Sequence, residues 1–120
     1  MKIYLICPVR HVSSEQSEKI QAYVAGLERE GHSVHYPPRD VDQDDPTGLE
    51  ICTNHRSAMV AADRVDIWWD PNSTGSHFDL GMAFALNKRI NLVEIWGQVP
   101  SGKSFAALIK ELVARQPPIA

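Results

Sequence analysis

The stretch RVDIWWDPNSTGSHFDLGMAFALNKRINLVEIW, residues 64–96, decides the fold of this chain. Its first six residues predict a buried strand, which runs into a turn-rich loop over Asp70–Gly75. A helix is predicted next, from about His77 to Leu86, and Asn87 is its predicted stop. The run Ile90 to Trp96 predicts a second strand. Strands that alternate with helices across short connections indicate a parallel sheet.

The same alternation continues on both sides of this stretch. The remaining elements predicted are a strand at Lys2–Ile6, a helix that starts after the capping box Ser13–Gln16 and ends near Gly31, a strand at Ser33–Tyr36, an acidic loop at Arg39–Gly48, and helices at Leu49–Ala62 and Phe105–Ala114. Residues 1–120 are therefore expected to form one α/β domain, Rossmann-like or flavodoxin-like, with a parallel sheet of four to five strands and helices on both faces. Ligands of such folds bind beyond the carboxyl ends of the strands, which selects the loops that begin at Cys7, Asp70 and Gly97.

Composition excludes several classes of function. The chain has 120 residues, of which 43% are hydrophobic, and its net charge of −3 argues against a partner that is a nucleic-acid polymer. No apolar run is long enough for a membrane span, and the amino-terminal residues do not form a signal peptide. Cys7 and Cys52 are expected to be reduced thiols in a cytoplasmic protein. The five histidines lack metal-ligand spacing, so no metal or other cofactor is expected.

Residues 97–104, GQVPSGKS, match the P-loop pattern G-x-x-x-x-G-K-S. The predicted strand before them and helix after them suit a P-loop NTPase. However, the motif lies near the end of the chain, and Pro100 removes one amide donor from the phosphate cradle. The alternative is a flexible loop before a helix. A phosphoacceptor domain centred on Asp70 is excluded, because the loop Cys7–His11 has none of the carboxylates that such a domain needs.

Two other segments resemble one protein family. Residues 2–8, KIYLICP, resemble the opening strand K-I-Y-L-A-G-P of the nucleoside 2-deoxyribosyltransferase superfamily. Residues 62–67 and 73–88 are similar to that family's A-D-x-V strand and its segment x-E-x-G-x-A-x-A-x-G-K. The resemblance implies a reaction at an N-glycosidic bond and a site completed by a neighbouring subunit, hence a homodimer or a higher homo-oligomer.

Within the superfamily, the chain is more similar to the 2′-deoxynucleoside 5′-monophosphate N-glycosidases. Ser73 stands six residues before Asp79, where that branch has a Ser and the transferases have an Asp. Arg10 matches the basic position of the branch's G-S-I-R loop, and Ser101–Lys103 matches its S-G-R segment. The resemblance therefore implies phosphate contacts from Arg10, Ser73, Ser101 and Lys103.

The catalytic positions depart from the family pattern. Asp79 stands where the family has a Glu nucleophile, in what is predicted to be the first turn of a helix, where the helix dipole favours a carboxylate. The alternative is that Asp79 caps this helix, since Ser76–Asp79 is a capping-box-like pattern. His55 replaces a family Asp and is a candidate acid–base group, or else an exposed helix residue. Cys7 replaces a Gly whose backbone approaches the ligand.

Four further residues complete the predicted site. Tyr4 matches the family's pocket tyrosine, although a tyrosine in a first strand is about as often a core residue. Pro8 and Gly75 belong to the two matching segments, and His77 could donate to a phosphate at the helix amino terminus. Outside this set of four, Trp96 ends a strand near the site and is a candidate to stack on a base.

The resemblance therefore implies an enzyme that cleaves or transfers at the N-glycosidic bond of a nucleoside 5′-monophosphate through a carboxylate nucleophile. Its partner is then a small nucleoside or nucleotide. The three departures, at Cys7, His55 and Asp79, support an alternative in which the same fold binds a nucleotide without cleaving it. A P-loop NTPase is the third hypothesis.

Overall fold

The structure, a computed structural model, describes residues 1–118. Within them the elements follow in the order β1 (Lys2–Ile6), α1 (Ser14–Arg29), β2 (Ser33–His35), α2 (Pro37–Asp40), α3 (Leu49–Ala61), β3 (Arg64–Trp69), α4 (Thr74–Ala85), β4 (Ile90–Ile95) and α5 (Phe105–Arg115). The four strands form one parallel sheet in the order β2-β1-β3-β4. The predicted α/β fold is confirmed, with four strands in the described part of the chain.

Alternate side chains of each strand point to opposite faces of the sheet, and each face has its own apolar cluster. The first cluster packs β1 and β3 against α3, α4 and α5, and its members include Tyr4, Ile67, Met59, Leu80 and Ile109. The second packs the other face against α1 and includes Ile3, Leu5, Trp68, Ile20 and Val24. Helices therefore cover both faces, as predicted.

The chain leaves β1 and β3 in opposite directions. β1 continues into α1 on one face, whereas β3 continues into α4 on the other, although the two strands are hydrogen-bonded neighbours. This divergence is the topological switch point of the sheet. It opens a crevice at the carboxyl ends of β1 and β3.

The largest difference from the predicted element bounds concerns α4. The predicted loop Asp70–Gly75 ends early, because the hydroxyl of Ser73 accepts a hydrogen bond of 3.3 Å from the amide of Ser76 and caps the helix. Helix α4 therefore begins at Thr74, three residues before the predicted start. This shift changes the position of Asp79 in its helix.

A second correction concerns the predicted loop Arg39–Gly48. Pro37–Asp40 forms one helical turn, for which a proline at the first position is well suited. Asp40 accepts a 2.7 Å hydrogen bond from the amide of Tyr36 and closes this turn. The predicted capping box of α1 is confirmed, since Ser13 and Gln16 each accept from the other's amide.

Both cysteines lie within the described residues, and neither forms a disulfide. None of the helices described is both long and apolar enough to cross a membrane.

Candidate active site

A cavity of about 280 Å³ opens at the switch point, beyond the carboxyl ends of β1 and β3. We call it the switch-point cavity. Its lining comes from four parts of the chain and comprises Cys7, Val9, Arg10, Pro37, Gln43, Ile51, His55, Ser73, Thr74, Gly75, Ser76 and Asp79. Six of the residues predicted for the site are among them: Cys7, Arg10, His55, Ser73, Gly75 and Asp79.

Asp79 lines this cavity and is 5% exposed. Its Oδ2 accepts a hydrogen bond of 2.7 Å from the hydroxyl of Tyr4, and its Oδ1 lies 3.2 Å from Nδ1 of His55. A carboxylate can only accept, so this pair places a proton on Nδ1 of His55. Strand β1 and helices α3 and α4 thus bring together a phenol, an imidazole and a carboxylate.

The position of Asp79 corrects two expectations. Because α4 begins at Thr74, Asp79 lies in the second turn, beyond the turn in which the helix dipole acts most strongly on a carboxylate. Ser73 caps α4, so the alternative that Asp79 is the cap is wrong. The partners of the carboxylate are instead the Tyr4 hydroxyl and the His55 ring.

Tyr4 is fully buried below the cavity and does not line it. Burial first, and the negative charge of Asp79 second, raise the pKa of its hydroxyl far above the ordinary value. The hydroxyl therefore keeps its proton and remains a hydrogen-bond donor to Asp79 at any physiological pH.

The rings of two histidines, His35 and His55, pack against the ring of Tyr4. His35 is its register partner on β2, and the two rings stack with centroids 5.1 Å apart. The ring of His55 packs edge-on against both. Burial is the main cause that lowers the pKa of His35 below its ordinary value, so this ring is neutral at neutral pH. His55 is 9% exposed, so the alternative of an exposed helix residue is wrong.

Cys7, at the carboxyl end of β1, forms part of the cavity wall. Burial, with a smaller effect from Asp79, raises the pKa of its thiol to about 12. The thiol is therefore protonated at neutral pH and is a poor nucleophile. It acts as a small apolar group that narrows the cavity beside Asp79.

The cavity also presents groups suited to an anion. Ser73, Thr74, Gly75 and Ser76 form the amino-terminal turn of α4 and its cap, and all four line the cavity. Helix amino termini direct unpaired amides at anions. The exposed guanidinium of Arg10 approaches the same cavity from the loop after β1. A phosphate between them would meet both a positive charge and amide donors.

Besides Tyr4, four predicted site residues lie outside the lining of this cavity. Pro8 is buried beside it, and His77 faces a second cavity that contains Trp69 and Phe105. Ser101 and Lys103 lie in the exposed segment between β4 and α5. None of these four touches the switch-point cavity within one copy of the chain.

The P-loop-like segment has a different geometry from the one its letters predict. Ser104 caps α5, because its hydroxyl accepts from the amide of Ala107 at 3.0 Å. A P-loop directs this hydroxyl at Mg²⁺. The side chain of Ser104 is therefore engaged in starting the helix.

Sequence analysis did not single out the loop after β2, from which Pro37 and Gln43 reach the cavity. It also missed Val9, Ile51, Thr74 and Ser76. The rule that ligands bind at strand ends applies to β2 as well, but the sequence does not reveal that β2 lies next to β1. Among residues 1–118, no group of three His, Cys, Asp or Glu side chains is placed to hold a metal ion.

Comparison with known proteins gives structural matches only. No protein-family model and no curated protein sequence matches the chain. A 2-deoxyribosyltransferase from Bacillus psychrosaccharolyticus superimposes with a TM-score of 0.73 at 21% identity, over 94% of this chain and 82% of that one. The CMP N-glycosidase BcmB of Clostridium botulinum superimposes with a TM-score of 0.61 at 21% identity, over 95% and 81%. At this identity the matches establish a shared fold.

Proposed function

We propose that this protein cleaves or transfers at the N-glycosidic bond of a nucleoside 5′-monophosphate, with Asp79 as the nucleophile. One observation carries the proposal: a buried carboxylate, held by Tyr4 and His55, shares a cavity with Arg10 and the amino-terminal turn of α4, which are suited to an anion. A nucleotide carries both groups that such a cavity would meet, an anomeric carbon for the carboxylate and a 5′-phosphate for the cationic and amide donors. The fold shared with two enzymes that act on nucleosides or nucleotides supports the same proposal.

The reaction proceeds in two displacements. An oxygen of Asp79 donates an electron pair to C1′ of the sugar, and the bond from C1′ to the base nitrogen breaks. The base leaves with the electron pair of that bond and takes up a proton. Water then attacks C1′, loses a proton, and restores the carboxylate as the sugar phosphate departs. A second base in place of water would make the reaction a transfer.

Tyr4 and His55 have distinct roles in this scheme. Tyr4 lies below the cavity, so it positions Asp79 without touching the substrate. His55 lines the cavity and is the acid–base candidate, since an imidazole can take up and release a proton near neutral pH. Its contact with Asp79 also fixes the orientation of its ring.

Arg10 and the amino terminus of α4 would hold the 5′-phosphate. Ser73 serves here as a helix cap, which leaves a neutral rim instead of a carboxylate that would repel the phosphate. His77, Ser101 and Lys103 remain phosphate candidates only if a second copy of the chain or a loop movement brings them to the cavity.

We further propose that the chain forms a homodimer or a higher homo-oligomer through α4. Phe78 is 57% exposed and Phe84 is 62% exposed, and Gly81 and Ala85 lie between and beside them on the exposed side of this helix. Exposed aromatic side chains grouped on one helix are typical of a surface that a partner covers. A second copy that packs on α4 would lie close to the switch-point cavity, because α4 also carries Asp79 and the amino-terminal turn proposed to hold the phosphate.

A nucleotide-binding protein without catalysis is the second candidate. It is favoured by the deep burial of Asp79, whose oxygens already contact Tyr4 and His55, and by the side chain of Cys7 in the cavity wall. Asp is also one methylene shorter than the family's Glu. A misplacement of about 1 Å can cost on the order of a hundredfold in rate.

The deciding experiment incubates the protein with a panel of nucleoside 5′-monophosphates and the matching free nucleosides, and follows released base by chromatography. Base release that prefers monophosphates and disappears in Asp79→Asn supports the glycosidase. The matched control is Asp42→Asn, in the exposed acidic loop. Thermal stabilisation by a monophosphate without base release supports the binding protein. If no compound of the panel gives base release or thermal stabilisation, both the glycosidase and the nucleotide-binding protein are excluded.

A further inference from the structure

A second cavity, of about 240 Å³, lies on the β4 side of α4 and has a largely aromatic lining. We call it the aromatic cavity; its lining comprises Trp69, Pro71, His77, Trp96, Gln98, Pro100, Ser104, Phe105 and Ala106. It shares no lining residue with the switch-point cavity. Both cavities take lining residues from the first turns of α4, His77 for the aromatic cavity and Thr74–Ser76 for the switch-point cavity.

Three of the lining rings already contact one another. The ring of His77 lies 4.7 Å from that of Trp69 and 5.1 Å, edge to face, from that of Phe105. Trp69 is buried and Phe105 is 53% exposed, so the cluster extends from the core to the surface. Aromatic rings favour offset and edge-to-face contacts with a further ring. The half-buried Trp96 offers such a ring on another part of the lining.

One polar atom in this lining has a defined role. Nδ1 of His77 lies 2.7 Å from the carbonyl oxygen of Ser73, so it must carry the proton and donate. In the neutral ring Nε2 is then an acceptor, and it has no hydrogen bond to residues 1–118. The indole N–H of Trp96 is already used, since it donates to Glu94 at 2.7 Å. Trp96, whose other ring contact is with Trp68, thus offers this cavity part of its ring and no donor, and Nε2 of His77 offers an acceptor.

From these features we infer that the aromatic cavity binds a planar heteroaromatic ring that carries an N–H or amino donor, such as a free nucleobase. The volume falls below the range of about 300–1,000 Å³ that holds drug-sized ligands, and so suits one or two fused rings. Pro71 and Pro100 restrict the backbone on both sides, which reduces the entropy lost on binding. The inference rests on this lining and does not depend on the proposed reaction.

The probes are adenine and cytosine, with cyclohexanone as a non-aromatic ligand of similar size. The chain has three tryptophans, so a ¹⁵N-labelled sample gives three indole N–H signals, which Trp→Phe variants assign. Adenine or cytosine is expected to shift the signals of Trp69 and Trp96 saturably, with a dissociation constant below about 5 mM. Cyclohexanone is expected to leave them in place. Equal shifts with cyclohexanone, or no shift with either base, overturn the inference.

Phe105→Ala removes one aromatic wall at an exposed position and is expected to raise the dissociation constant about threefold to tenfold. Leu108→Ala, on the same helix but outside this cavity, is the matched control and should leave it unchanged. His77→Phe keeps a ring but loses the hydrogen-bond acceptor Nε2. It should therefore weaken the binding of adenine more than the binding of N6,N6,9-trimethyladenine, which has no N–H to donate. If Phe105→Ala and Leu108→Ala weaken base binding equally, the base does not bind in the aromatic cavity.

Asp79→Ala separates this inference from the proposed reaction. The base should still shift the Trp69 and Trp96 signals in this variant, because Asp79 lies in the other cavity. Loss of those shifts would place the base in the switch-point cavity. That result would overturn this inference without contradicting the proposed reaction. Saturable shifts in a protein that releases base from no nucleotide would leave the inference standing and contradict only the glycosidase proposal.

Discussion

The hydroxyl of Tyr4 donates a 2.7 Å hydrogen bond to Oδ2 of Asp79, across 75 positions of sequence. A similar pair lies on the opposite face of the sheet, where the hydroxyl of Tyr23 donates to the buried Asp66. The two pairs differ in their third member. Arg64 contacts Asp66 at 2.6 Å and supplies a full positive charge, whereas His55 contacts Asp79 and lines a cavity. The Tyr23–Asp66 pair is closed by a permanent charge, and the Tyr4–Asp79 pair is open to a ligand.

Tyr4→Phe should affect both stability and ligand chemistry. Loss of a buried hydrogen bond to a carboxylate is expected to lower the free energy of unfolding by about 1.5–3 kcal/mol, measured by urea denaturation. If Asp79 is the nucleophile, kcat for base release should fall about tenfold or more, with little change in KM. Tyr23→Phe is the matched control, because it should cost stability without changing kcat. A Tyr4→Phe variant with normal turnover would show that Asp79 needs no positioning by this hydroxyl.

Arg10→Gln should weaken binding of nucleoside 5′-monophosphates but not of free nucleosides. The guanidinium is exposed, so its contribution corresponds to the upper end of a surface ion pair, about fivefold in the dissociation constant. Isothermal calorimetry of both ligand forms measures the difference. Arg56→Gln, exposed on α3 and outside the cavity, serves as the control. Equal weakening of both ligand forms would contradict a phosphate contact.

His35 should make the protein less stable in acid. Burial lowers the pKa of His35 in the folded state. Just below about pH 6.5, His35 is therefore protonated in the unfolded chain but still neutral in the folded chain. The unfolded state then holds more protons, so the free energy of unfolding falls as pH falls. His35→Phe is expected to lose this contribution, which amounts to up to about 1 kcal/mol at pH 5.5.

Urea denaturation at pH 7.5 and pH 5.5 gives that difference. His11→Asn is the control, since His11 is exposed and Asn tolerates its positive φ of 58°. The same pH dependence in His35→Phe as in the parent chain would show that another group is responsible.

Phe84→Glu should convert the proposed oligomer into monomers, since it places a charge in the apolar surface of α4. Light scattering coupled to gel filtration should give at least twice the chain mass for the parent protein and the chain mass for the variant. Leu49→Glu, an exposed apolar residue at the start of α3, should leave the mass unchanged. A parent chain that is monomeric at high micromolar concentration would refute the proposed assembly.

Local patterns in the sequence were sufficient for most of the fold. The bounds of β1 and β3 and the capping box of Ser13 and Gln16 agree with the structure, because each depends on neighbouring residues alone. The start of α4 was wrong by three residues. Two serines, Ser73 and Ser76, could each cap a helix, and spacing alone favoured the later one.

The sequence by itself determined that strands alternate with helices, and that polar residues such as Arg10 and Ser73 follow strand ends. It also identified Asp79 and His55 as candidate catalytic residues. Only the tertiary structure decided that Tyr4, His55 and Asp79 meet, that His77 turns to a different cavity, and that Pro37 and Gln43 join the site. The physical reason is that strand order and helix rotation are fixed by packing between elements far apart in the chain, and such packing leaves no local pattern in the sequence.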